Sequence, residues 1–196
     1  GRDAPSDGAV LKPLYDSWRG LTVTHGICPR LSSCDARAMA LAAVDEAYRA
    51  HIALGGDPER AVALDNFCWP DPVESASNPD GAYKMAQLVR ACEALRDAGL
   101  IYGAYAGGRK ISIEPTLLVT LVGIIDDARK APSTDLLAPG DLLYIVGATG
   151  YSLGASILER ALAAPSGVPG KATPMDRRLG PCPVADPVEH LPLYKA

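Results

Sequence analysis

A mixed α/β fold, with helices covering one face of a sheet, is what the order of patterns along this sequence predicts. Three observations carry it. Short β-branched and apolar runs around residues 21–24, 60–64 and 110–125 read as strands. Two longer stretches, one after Asp35 and one after Asn78, repeat apolar residues at helical spacing. The order is strand, helix, strand, helix and then several strands, which sets the helices on one side of a sheet.

Residues 1–20 are rich in Gly, Pro, Asp and Arg and read as an irregular leading linker. The strand at 21–24 ends at His25 and Gly26, and Cys28, Pro29 and Arg30 follow as a loop. Asp35 is a fitting N-cap for the first helix, whose apolar face is Met39, Ala42, Ala43, Tyr48 and Ile52. Gly55 and Gly56 stop it. Residues 60–64 should then be a buried strand that delivers Asp65, Asn66, Phe67, Cys68, Trp69 and Pro70 into a loop. Asn78, Pro79 and Asp80 open the second helix, with proline tolerated in the first turn. Met85, Leu88, Val89, Cys92 and Leu95 form its apolar face, and Gly99 ends it. Residues 100–102 are strand-like and lead into a glycine-rich stretch, 103–108. The 110–125 run is strongly β, with Pro115 marking an edge position or a break. Residues 126–130 are a polar exit, 142–146 another buried strand, 152–164 a short helix and 165–187 a Pro/Gly-rich linker, and a further helix starts near Leu191. The expected organisation is a leading linker (1–20), one α/β domain (21–164), and a linker with the start of a following domain (165–196).

Composition narrows the function classes. With 196 residues, 48% of them hydrophobic and 21% charged, the chain can bury a real core. A net charge of −4 offers no general attraction for nucleic acid or an anionic membrane. Five dispersed cysteines, without a paired spacing, argue against a disulfide framework or a structural zinc site and fit a reducing, cytoplasmic setting. No apolar stretch is long enough to span a bilayer.

Several residues invite a chemical reading. Asp65 and Asn66 follow a buried strand, where α/β sheets commonly place chemistry; a turn using both side chains for local hydrogen bonds explains them too. Gly103, Gly107 and Gly108 with Lys110 can cradle phosphate through backbone amides, or they are a glycine-rich connection; they are not a Walker A motif. Asp126 and Asp127 read as a polar strand end. His25, His51 and His190 are too dispersed for a zinc site, and nothing around Cys28 supports a nucleophile.

One ordered set of segments is distinctive. Val44-Asp45-Glu46-Ala47-Tyr48-Arg49 precedes Gly55-Gly56-Asp57-Pro58-Glu59-Arg60, and Leu64-Asp65-Asn66-Phe67-Cys68-Trp69 follows. Together with Asp7–Val10, Gly26–Arg30 and Lys110–Leu118, in that order, this resembles the second synthetase half of phosphoribosylformylglycinamidine (FGAM) synthase, from about residue 7 to the end. The resemblance implies an AIR-synthase-like N-terminal domain that pairs with a second such domain into a barrel, with the glutaminase in a separate domain. It implies ATP-dependent amidination of formylglycinamide ribonucleotide in purine biosynthesis, with magnesium bridging the phosphates. It also tips Asp65 and Asn66 toward nucleotide or phosphate binding and makes Glu46 a candidate metal ligand, a solvated acidic residue on the helix being the alternative.

Departures from the family pattern qualify that expectation. The family carries Asn four residues after the acidic residue, and here that position is Ala50. The acid ending the first strand is replaced by His25, and a neutral imidazole is a poor magnesium ligand. After Gly103 the chain is about seven residues short of the family's phosphate-holding loop, through a deletion or through a mobile segment omitted from the sequence as given. The sequence therefore predicts a half that is chiefly structural, with a degenerate nucleotide site formed by Glu46, Asp65, Asn66 and the glycine loop. A competent ATP-binding half-site and a ligand-free scaffold are the alternatives.

Overall fold

The computed structural model describes residues 8–103, 115–142, 144 and 185–195. Its strands are β1 (Gly8–Leu11), β2 (Gly20–Ile27), β3 (Ala61–Cys68) and β4 (Thr116–Ile125), and its helices are α1 (Ala36–Ala53), α2 (Gly81–Tyr102) and α3 (Pro187–Lys195). The strands form one antiparallel sheet in the order β1-β2-β4-β3. Register is fixed by pairs such as Thr22 with Gly123 and Val62 with Val122.

Helix α1 begins where Asp35 accepts the Arg37 amide N–H at 3.0 Å and ends at Gly55, whose φ of +77° suits glycine. It is buried nearly all round because it lies between the sheet and α2. Small residues set the spacing: a Cβ on Gly26 would stand 1.8 Å from the Ala43 carbonyl oxygen. Thr24 donates to the Ala47 carbonyl at 2.8 Å across the same contact. On the other side, Ala91, Ala94 and Ala98 of α2 are fully buried in the core that α1 shares. Trp69, which donates to the Lys84 carbonyl at 3.0 Å, closes the end of that core. Helix α3 packs on α1 and α2.

The helices cover one face of the sheet, as the element order predicts. Five details differ from the sequence reading. On α2, Met85, Val89 and Cys92 of the expected apolar face are exposed, and small residues, Ala91, Ala94 and Ala98, form the buried one. The leading segment contains β1, which pairs with residues 21–24 of β2. Residues 100–102 are the last turn of α2, because Tyr102 continues the buried face of Ala94 and Ala98. Strand β3 is an edge strand whose Val62 and Leu64 are exposed, and it continues through Asp65 and Asn66 to Cys68. In the expected strand at 142–146, Leu142 and Tyr144 are exposed and outside any strand, and the other residues lie outside the described set. The segment 110–114, the expected helix at 152–164 and most of the expected linker also lie outside it.

Candidate functional site

The pleat decides what the carboxyl ends of β2 and β3 present. Side chains alternate across a strand, so the register rows Gly26–Val119–Asp65 and Ile27–Leu118–Asn66 face opposite sides. Asp65 faces the helices and is half-buried, with an Oδ1 atom that is buried without a hydrogen-bond partner. Burial raises its pKa. Burial, and next the Asp65 charge, also raise the Cys92 thiol. Asn66 is exposed on the open face of the sheet. The two residues that stand together in sequence do not converge on one point.

Glu46 lies on α1 and is already engaged. Its Oε2 accepts the Ile27 amide N–H at 2.7 Å and the Cys28 thiol at 3.6 Å. The thiol is correspondingly inert: burial first, and then the Glu46 charge, push its pKa up to about 12. Position 50, one turn further along the helix, carries only a methyl group. His25 faces the open side of the sheet, where its Nδ1 lies 3.1 Å from Thr120 Oγ1. Glu46 and His25 are thus on opposite faces. Among the described residues, no group of three or more His, Cys, Asp or Glu side chains is placed to hold a metal ion. The donor set that survives does not fit a magnesium site.

Gly103 is the C-cap of α2 with φ +73°, and no atom of the described residues would lie within 4 Å of a Cβ there. Gly107, Gly108 and Lys110 lie outside the described residues. Asp126 pairs with Arg60 at 2.8 Å, and Asp127 caps a short 3-10 turn through Arg129, so both are committed to strand-end structure.

Two polar centres escape the sequence reading. His51 is fully buried, between Thr22 Oγ1 at 2.6 Å and the Asp57 carbonyl at 2.9 Å. Asp45 is buried and gathers Tyr102, His190, Tyr194 and Arg49. The i,i+4 spacings 45/49 and 190/194 were the available signal, and they do not reveal that the two pairs meet.

The open face of the sheet is apolar. Leu11, Ile27, Val62, Leu64 and Val122 are exposed there, and Leu21, Val23, Leu118 and Ile124 are partly so. His25, Thr120 and Asn66 are its polar interruptions. No helix among the described residues is long and apolar enough to cross a membrane.

No family model matches the chain. The chain is 32% identical over 163 residues to the phosphoribosylformylglycinamidine synthase subunit PurL of Picrophilus torridus, covering 79% of this chain and 21% of that subunit. The PurL of Thermoplasma acidophilum is 32% identical over 158 residues, covering 74% and 19%. Among solved structures, Thermotoga maritima PurL complexed with AMPPCP superposes with a TM-score of 0.53 at 21% identity, covering 64% of this chain and 21% of that one. The chain thus spans about one fifth of the length of the curated relatives it matches. Sequence and fold together make it a relative of one AIR-synthase-like segment of PurL, the FGAM synthase subunit of purine biosynthesis.

Proposed function

We propose that this chain acts as the structural half of an FGAM-synthase assembly, which carries out the ATP- and glutamine-dependent amidination of formylglycinamide ribonucleotide. The observation that carries this is the engagement of Glu46. Its carboxylate holds the Ile27 amide at the end of β2, while Ala50 has no oxygen and His25 stands on the other face. With Oε2 already accepting backbone and thiol donors and no second oxygen ligand beside it, Glu46 alone makes a weak magnesium site. Any remaining nucleotide or phosphate contact on this half would come from Asp65, Asn66, Gly103, Gly107, Gly108 and Lys110. In the assembly, ATP and magnesium would belong chiefly to the other half.

The partner would be a second AIR-synthase-like domain, either another copy or the other half of the same enzyme, with a glutaminase domain in the same assembly. Large contiguous apolar faces on a folded domain mark interaction surfaces. Here that face is flanked by two edge strands, β1 and β3, with backbone groups available for further pairing. The domain, expected over residues 21–164, would also take in β1 and α3, which pair with its sheet and pack on its helices, and it would work in the cytoplasm. Neither nucleic acid nor membrane is a partner on this reading.

A competent half-site is the rival. Thermotoga maritima PurL has been solved with ATP and with ADP, and an equivalent site here would bind magnesium–ATP. Thermal unfolding with millimolar ATP, with and without magnesium, separates the two. A ligand at 100 times its dissociation constant stabilises the folded state by about 2.7 kcal/mol, a shift of a few degrees. No magnesium-dependent shift is expected; a clear one would establish the competent site and end the structural reading.

A further inference from the structure

Asp45 collects donors from three helices. Its Oδ1 accepts the Tyr102 hydroxyl at 3.1 Å, the Tyr194 hydroxyl at 2.7 Å and the His190 Nδ1–H at 2.7 Å. Its Oδ2 pairs with Arg49 Nε at 2.8 Å. A carboxylate only 3% exposed is tolerated in the core when its lone pairs are filled this way. His190 and Tyr194 stand one turn apart on α3, so a single face of that helix reaches the same carboxylate.

Among the described residues, helix α3 has little else to hold it. It is nine residues long, shorter than helices that persist alone in water. Pro192 lies inside it and removes the amide that would bond the Val188 carbonyl. Pro187 is its buried residue, and Leu191 and Tyr194 are partly buried against the core. The Tyr194 ring lies 5.7 Å from Tyr48 and 6.4 Å from Tyr102, which are themselves stacked at 4.3 Å. The remaining ion pair, Lys195 with Glu59 at 2.8 Å, is exposed and contributes little.

We infer that residues 185–195 are a latch: α3 becomes helical only as it docks, and the Asp45 carboxylate is the catch. Releasing it uncovers the Tyr48–Tyr102 stack and strips Asp45 of two donors.

Hydrogen exchange on the full chain tests this with two variants, Asp45→Asn and Tyr194→Phe. Losing one hydrogen bond to a carboxylate acceptor corresponds to a factor of about ten or more in the docking equilibrium. Amides of residues 188–195 are expected to exchange about tenfold faster or more in both variants, while those of β2 and β4 keep their protection. Should Asp45→Asn unfold the chain, Tyr194→Phe decides alone, because it leaves Asp45 and its other donors in place. Unchanged α3 exchange in Tyr194→Phe would overturn the latch. So would equal acceleration in α3, β2 and β4, since the helix would then open only with the whole domain.

Discussion

His51 and Thr22 meet at 2.6 Å inside the contact between α1 and β2, and the bond on the other ring nitrogen sets the tautomer of the histidine. Nε2 faces the Asp57 carbonyl, which can only accept, so Nε2 carries the proton. Nδ1 then accepts from the Thr22 hydroxyl. The ring lies so close to Gly56 and Gly123 that a Cβ on either would come within 2.0 Å and 2.2 Å of it. A neutral imidazole uses the Thr22 hydroxyl as its donor; a charged one would turn Thr22 into an acceptor and leave the hydroxyl proton to find another partner.

That geometry gives the first prediction, on pH. Burial lowers the His51 pKa below 6.5, with the Asp57 contacts opposing in part. Between the lowered value and about 6.5 the unfolded chain binds a proton that the folded chain does not, so stability falls as pH drops through that window. Asp57 does not mask this, because its own pKa is lowered, chiefly by the Glu59 amide and then by Arg60, from an already acidic 3.8. Urea midpoints measured from pH 7.5 to 5.0 should decline for the parent chain. The decline should be shallower in His51→Gln, which removes the titration.

Glycines separate packing from backbone strain. Gly26→Ala places a methyl group against the Ala43 carbonyl and should cost about 3 kcal/mol, because α1 must lift from the sheet. Gly103→Ala meets no atom of the described residues within 4 Å but requires φ +73°, so it should cost about 1 kcal/mol through strain. Chemical denaturation of the two variants should show that ranking. Equal costs would mean that α1 is free to shift on β2.

Much of the fold was legible because local chemistry agreed with tertiary placement. Asp35 is both a good N-cap and the actual one, and Gly55 both stops α1 and takes a positive φ. Residues 100–102 misled because three apolar residues carry no periodicity; only burial against Tyr48 and Asp45 makes them helical. Asp65 and Asn66 read as a pair because neighbours in a loop can converge, whereas neighbours in a strand cannot. The Asp45 centre was invisible for a different reason. Its donors Tyr102, His190 and Tyr194 lie 57, 145 and 149 residues away in sequence, and no local pattern spans such gaps.

Asp65 gives a prediction of opposite pH sense. Its raised pKa, caused mainly by burial, means the folded chain holds a proton that the unfolded chain has lost just above pH 3.8. Stability from this group therefore falls as pH rises through that window. Asp65→Asn removes the charge beside a buried, unpartnered oxygen and should stabilise the isolated chain at pH 7 by about 1 kcal/mol. A loss of stability, read from the denaturation midpoint, would show that the carboxylate is serving a partner within the fold.

The open sheet face supplies the last prediction, which tests pairing apart from folding. Val62 and Leu64 are 57% and 53% exposed on edge strand β3, and Val62 is opposite Val122 on β4. Replacing exposed side chains away from caps and buried networks usually changes stability by no more than about 0.5 kcal/mol. A charge on this face must, however, be desolvated when a second sheet covers it, at a cost of several kcal/mol. Val62→Lys and Leu64→Glu should therefore leave thermal unfolding of the single chain nearly unchanged. The same variants should weaken association with a paired AIR-synthase-like domain by at least about tenfold, as read by sedimentation velocity on mixtures. Full association in both variants would place the partner elsewhere and remove the reason for the exposed apolar face.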